Sequence, residues 1–399
     1  MIKLNKNYIL YLLTSIVFLM CSANDIYLSS LPKMVQDFNS TPNVINLTLS
    51  FYALGTAVFV LFADLLNARY GRRPIILISL IVFTASAFLI SISPSIWGII
   101  LLRIVQSSGL GLYIISSTLV IKDIMDEREQ IRAIGIILAG LVISPAISPV
   151  IGAYLAQHFG WRSCFVFNGI LGAILLIFTF KILPETNFSK LDKLPKMGPY
   201  LMRYFMVFKD TFFLHLTLIM ATGSGAYFAF IGISSYLFID NLGISPILYS
   251  YIYIFLSAAF LVGNHCLQTM NRKKTSFKII LGIGSAASLA GSIVILSAEP
   301  FSSSFIIAGL LTIGAIIMRW ANALVNPTTQ VLTVNRFKKR GGVALGMAMS
   351  IAIGAQGIAV ILVTLFHSEP LFGLALISML LSIIGLISFF LVKKRITDS

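Results

Sequence analysis

The sequence predicts an all-α membrane protein with twelve transmembrane helices in two pseudo-symmetric six-helix bundles. Three observations predict it. Only 11% of the 399 residues are charged and 58% are hydrophobic, whereas a soluble domain averages about a quarter charged. Apolar runs of the roughly 20 residues needed to cross hydrocarbon centre near residues 18, 54, 84, 108, 144 and 172, then near 223, 257, 287, 315, 354 and 381. Between these two sets of six lies the one extended polar stretch, Leu183 to Asp210.

Taken in order, span 1 begins at Tyr8, after Lys3 and Lys6. Its apolar run is too long for a cleavable signal and lacks a small-x-small site. Met20 is too large for Leu19-Met20-Cys21 to act as a lipoprotein site. Spans 2 and 3 are joined by a basic turn, Arg69-Tyr70-Gly71-Arg72-Arg73-Pro74. Span 4 carries Arg103, and span 5 carries Ser144-Pro145 and Ser148-Pro149 followed by Gly152. Span 6 closes an N-terminal bundle over 1–182, the cytoplasmic linker covers 183–210, and a C-terminal bundle covers 211–399. Asn271-Arg272-Lys273-Lys274 after span 8 repeats the basic turn after span 2. Repeated halves of this kind are the architecture of alternating-access transporters, with the substrate site between halves.

The formal charge of +15 belongs to the topology and not to nucleic acid. With the N-terminus inside, outer loops hold only Lys33 and Arg162, while Arg103 and Arg319 lie within spans. The remaining 25 of the 29 basic residues fall on the inner side, including Lys338-Lys339-Arg340 and Lys393-Lys394-Arg395. That asymmetry predicts both termini in the cytoplasm. No basic groove interleaved with aromatics exists to hold a nucleic-acid strand. Cys21, Cys164 and Cys266 lie in apolar segments without metal spacing and read as packing residues.

Asp25 is the sharpest candidate site. Of the fourteen acidic residues it alone lies well inside an apolar span, and Asp64 sits near a span end. A carboxylate at such depth costs a few kcal/mol or more unless it is paired, hydrated or protonated. Desolvation disfavours the charged form and a nearby cation favours it, so a group under both influences can load and release a proton. A structural partner for a base is the plainer role for the same residue. Arg103 is the expected partner, on one helical face with Gln106, Ser107, Leu110 and Tyr113. A structural ion pair locking spans 1 and 4 is compatible with the same placement. In span 5 each proline removes a backbone donor and bends the helix, and small residues permit close approach.

In span 10, Arg319, Asn322 and Asn326 share a face. They either line a cavity, or Arg319 snorkels from the cytoplasmic half. Asn24, Tyr52, Gln106, Tyr113, Tyr227, Phe230, Tyr236 and Asn322 are the candidate substrate-binding set, the aromatics supplying a wall for an apolar ligand. Some of these rings are expected to serve packing alone. His215 and His265 lack acidic neighbours in sequence and read as structural. No G-x-x-x-x-G-K-[ST] loop is present, and no clustered His, Asp or Glu within spans suggests hydrolysis. The expectation is a transporter, not an enzyme, without cofactor or metal.

Six motifs in order carry a family resemblance along nearly the full chain. They are Asp25-Ile26-Tyr27-Leu28 with Leu31-Pro32, the turn Arg69 to Pro74, Arg103-x-x-Gln106-x-x-Gly109, the Ser-Pro repeats through Gly152, Gly160-Trp161-Arg162, and Leu183-Pro184-Glu185-Thr186. Gly263-Asn264 with Leu267, and Gly342-Val343-Ala344, are weaker echoes. On these the chain resembles the twelve-span drug:proton antiporters of the major facilitator superfamily, and most of all their bicyclomycin/chloramphenicol-resistance (Bcr/CflA) branch. The resemblance implies that Asp25 and Arg103 couple proton to substrate, and that span 5 favours export. It implies a gate formed by Asp64, Arg69, Gly71, Arg72, Arg73, Asp123, Pro145, Pro149 and Gly152, with Arg72 or Arg73 pairing with Asp123.

Three positions depart from the family pattern. The turn's leading glycine is Asp64, its usual acid is Ala68, with Asp64 the nearest substitute, and the proline expected after Tyr27-Leu28 is Ser29. The expected protein is a proton-coupled, monomeric exporter of small apolar or amphipathic compounds in a bacterial cytoplasmic membrane. A carrier dedicated to one metabolite such as a siderophore, running inward, is the alternative. A sensor that does not transport is a third reading.

Overall fold

The computed structural model describes residues 6–188, 190–191, 197–337 and 341–396. The basic run Lys338-Lys339-Arg340 lies outside them, as do Lys3, Asp192 and Pro195. Among the described residues all regular structure is helical, and twelve helical stretches are long and apolar enough to cross a membrane.

Span 1 is built from α1 (Lys6–Asp25), a 3₁₀ turn (Leu28–Ser30) and α2 (Leu31–Asp37). There follow α3 (Pro42–Tyr70), α4 (Arg72–Ile92), α5 (Ile96–Ile124), α6 (Glu127–Phe159) and α7 (Arg162–Ile182). A short helix, α8 (Met197–Phe208), precedes α9 (Thr211–Ser235), which continues into a π turn at Tyr236–Asn241. Then come α10 (Pro246–Arg272), α11 (Phe277–Leu296), α12 (Ser304–Arg336), α13 (Gly341–Thr364) and α14 (Pro370–Val392). The polar stretch predicted as a linker thus includes a helix. Its Met202, Phe205, Met206 and Phe208 are exposed, the pattern of a helix resting at a membrane interface.

Local chemistry marks the helix ends. Asp126 and Glu129 form a reciprocal capping box at α6, and Asp210 accepts from the Phe212 and Phe213 amides at α9. Ser245 and Ser276 cap α10 and α11. Each cap satisfies amides that a helix start leaves without intrahelical partners.

Lateral packing follows the rule for apolar solvent. On α7, Ile170, Ile174 and Ile177 are exposed while Asn168, Gly169, Gly172 and Thr179 are buried. Large aliphatics gain nothing by leaving lipid, whereas small and hydroxylated residues let helices approach closely. Several buried hydroxyls are satisfied within their own helices: Thr56 donates to the Tyr52 carbonyl at 2.8 Å, and Thr328 to the Leu324 carbonyl at 2.7 Å.

The chain divides into two compact units, Met1–Asn39 with Phe51–Leu194, and Ser40–Ser50 with Pro195–Ser399. In the first, α1 packs chiefly on α6, and α4 on α5 and α7. In the second, α9 packs on α13, α14 and α12, and α11 on α12 and α14. Almost every side of α9 is buried, which makes it the axis of that unit.

Span 1 is not the continuous helix its apolar run suggests. It breaks at Asp25, the residue singled out as the acid within its apolar run. Pro32, in the first turn of α2, has no amide to continue the helix, and the Ser29-Ser30 turn takes up the change of direction.

Candidate functional site

A helix that stops inside a membrane leaves carbonyls without intrahelical partners. In the first unit one of these is met by Arg103. This wholly buried side chain donates from Nη1 to the Ala23 carbonyl at 3.0 Å and from Nη2 to Asn24 Oδ1 at 2.6 Å. Nη1 also donates to Gln106 Oε1, one turn along α5, at 2.8 Å. The guanidinium lies 4.1 Å from the centre of the Tyr52 ring and 5.1 Å from that of Tyr27. A positive group at a helix C-terminus is also favoured by the helix dipole. Arg103 is therefore the C-terminal cap of broken α1.

Asp25 stands at the same break, half-buried, and accepts from Ser144 Oγ of α6 at 3.2 Å. Ser144 and Ser148 lie 3.4 Å apart, oxygen to oxygen. Eight residues beyond Ser144, α6 touches span 1 backbone to backbone. A Cβ on Gly152 would stand 1.5 Å from the Ile26 carbonyl oxygen, so only glycine fits. Pro145 and Pro149 lie inside α6 between these two contacts. Tyr52 donates to the Met20 carbonyl at 2.7 Å, and Ser22 to Asn168 Oδ1 at 2.9 Å. Tyr113 donates to the Leu13 carbonyl and is fully buried, fastening α5 to α1.

The first unit thus gathers Asn24, Asp25, Tyr52, Arg103, Gln106 and Ser144 around one helix break. A carboxylate, a capped cation and two neutral amides are held there by elements that small residues let approach closely. Ser144 as a direct partner of Asp25 was hidden by a separation of 119 residues.

The basic turn forms a second cluster. Gly71 has φ of 102°, the region that penalises any side chain. Arg72 Nε is 3.0 Å from Asp123 Oδ2, an ion pair not aligned as a hydrogen bond, and Arg72 Nη1 donates to the Asn67 carbonyl at 3.1 Å. Arg73 donates to the Phe180 carbonyl and Arg69 to the Leu191 carbonyl, each at 2.8 Å.

Sequence reasoning gave no site role to Glu185. Its Oε1 accepts from the amides of Arg72, Thr186 and Asn187 at 2.8–3.0 Å. An acid thus stands at the N-terminus of α4 although Ala68 supplies none. Thr186 Oγ1 donates to Asp123 Oδ2 at 2.8 Å, and Leu191 N to the Ala68 carbonyl at 3.0 Å. Glu185, Thr186, Asn187 and Leu191 thereby strap their segment onto the turn. Asp64 is exposed, with no ion pair or hydrogen bond to another described residue. The matching turn after α10 is exposed from Asn271 to Lys274 and carries no comparable strap among the described residues.

In the second unit, Tyr236 donates to Asn46 Oδ1 at 3.2 Å, and Phe230 is wholly buried against Phe238. Asn322 is also buried, beside Gly223. It borders a cavity of about 10 Å³, with Thr222, Ser285, Ser288 and Ser382 among the other lining residues, room for about one water. Tyr227 lies under Arg319, whose Cζ is 4.8 Å from the ring centre. Among the described residues no group of three or more His, Cys, Asp or Glu is placed to hold a metal ion.

The family model described as "Major Facilitator Superfamily" matches residues 13–315. An uncharacterized transporter of Rickettsia felis is 28% identical over 398 residues, covering 96% of this chain and 97% of that one. A chloramphenicol resistance protein of Pseudomonas aeruginosa is 26% identical over 276 residues, 69% of this chain and 64% of its own. Among solved structures, a D-xylose-proton symporter superposes with a TM-score of 0.71 at 14% identity, covering 98% of each chain. The fold and the relatives are those of transporters, and the chain belongs to the major facilitator superfamily.

Proposed function

We propose that this protein is a proton-coupled secondary transporter that exports small apolar or amphipathic compounds by alternating access. The observation that carries the reading is the break of span 1 at Asp25. There a carboxylate, a buried arginine and the Ser-Pro segment of α6 meet at a helix end. Protonation of Asp25 would remove a charge from this junction, alter the Ser144 contact and leave Arg103 as the local cation. Substrate and proton would then compete for one site, which is what antiport requires. The drug-resistance names among relatives support the export reading.

Uptake and efflux in proteoliposomes with an imposed pH gradient would test the proposal. Substrates would be a panel of antibiotics, lipophilic cations and siderophores at two pH values. The expected result is efflux abolished both by an uncoupler and by Asp25→Asn, with counterflow of substrate retained in the variant. Gradient-driven transport that survives both changes would reject proton coupling through Asp25.

A further inference from the structure

Arg319 is the sixteenth of the 33 residues of α12, at the helix midpoint. Its guanidinium packs on two rings, with Cζ 4.8 Å from the centre of Tyr227 on α9 and 4.6 Å from that of Phe260 on α10. Its Nε is buried and has no hydrogen-bond partner, and no carboxylate of the described residues pairs with it. The described acids of this unit, Asp210, Asp240, Glu299 and Glu369, all lie at or beyond helix ends. Snorkelling does not account for the geometry, because the rings hold the head group at mid-helix.

An arginine at mid-membrane costs at least about 2.5 kcal/mol on the most lenient scale, and ring contacts of this kind return roughly 0.5–2 kcal/mol. Both rings pack against the guanidinium, while its unpartnered Nε still calls for an acceptor at the edge of the fork. The acceptor suited to one such fork is a planar monoanion held by two parallel bonds. A phosphate dianion would call for a second cation, and this helix face offers only Asn322 and Asn326 beside Arg319.

We infer that Arg319 is a binding site for the carboxylate of a small amphiphile, so that the protein selects neutral and anionic compounds and rejects cationic ones. That such a ligand is cargo rests on the exporter reading; the binding preference itself does not.

Three probes sharing one skeleton test it: 4-phenylbutyrate, 4-phenylbutanamide and 4-phenylbutylammonium. Their affinities for the purified full chain in phosphatidylcholine nanodiscs would be measured by calorimetry. The butyrate should bind at least about ten-fold tighter than the ammonium probe. Arg319→Gln should erase that difference, and Arg319→Lys, which keeps charge without the fork, should retain part of it. Equal affinities in the unaltered protein, or an anion preference that persists in Arg319→Gln, would overturn the inference. So would a dependence on Arg319 seen only after adding phosphatidylglycerol, which would assign the group to lipid phosphate. Charge preference is read at equilibrium, so a failure of proton coupling at Asp25 would leave this result intact.

Discussion

Arg103 illustrates how one residue can meet a structural need and a functional one together. Its bonds to Ala23, Asn24 and Gln106 close a helix end that would otherwise expose polar backbone in an apolar medium. Placing a buried cation beside Asp25 is a consequence of that capping. Asp210 is a simpler case at the start of α9, where burial alone would raise its carboxyl above the ordinary 3.8. The bond from the Phe213 amide and the contact with Arg336 outweigh burial and hold it below that value. A lowered folded value stabilises the fold above the unfolded value and ceases to do so as pH falls through the folded one. Its contribution should therefore be intact at neutral pH and fade only below about 4. Asp210→Ala should lower stability at pH 7 by about 1 kcal/mol, with the difference from the unaltered protein vanishing in acid. Thermal melts from pH 7 to pH 3 would check both parts, and a deficit that grows in acid would contradict the assignment.

At the level of elements, α6 and broken span 1 behave as a matched pair. The Ser144 bond to Asp25 and the fit of Gly152 on Ile26 lie about two helical turns apart. Any tilt of α6 about its prolines must move one contact relative to the other. Gly152→Ala places a methyl where the Ile26 carbonyl already sits, and backbone cannot yield as a side chain does. The expected outcome is a loss of about 1–3 kcal/mol, as for overpacking, seen as a lower melting temperature and impaired transport. Gly172→Ala serves as the contrast, since the new methyl there meets the Thr84 hydroxyl, a side-chain atom that can rotate away. Comparable losses in both variants would argue against a special junction at Gly152.

For the whole molecule, the twelve spans were legible because hydropathy and length suffice to find them. The basic turn and Asp25 stood out because charge is rare in such a chain. Contacts between distant segments were not legible. Glu185 reaches Arg72 across 113 residues, and only folding brings Phe260 over Arg319. The break of span 1 left a trace in Ser29, Ser30 and Pro32, but serine is too common in membrane helices for that trace to decide. The placement of basic residues predicts both termini in the cytoplasm. Fusions at the C-terminus should accordingly give fluorescent green fluorescent protein and inactive alkaline phosphatase; the opposite pattern would invert the topology.

The interruption at Asp25 also bears on how the chain enters the membrane during synthesis. The 20 residues of α1 measure about 30 Å, enough to cross hydrocarbon by themselves. Before the bundle assembles, the first helix can ride further across the bilayer than it does in the folded protein, with its carboxylate at the far surface, in water. Arg103 is made 78 residues later, some 4–16 s at ordinary elongation rates. Until then no cation of span 4 exists to accompany the acid. A break placed at Asp25 lets the nascent chain wait through that interval without an orphan charge in lipid.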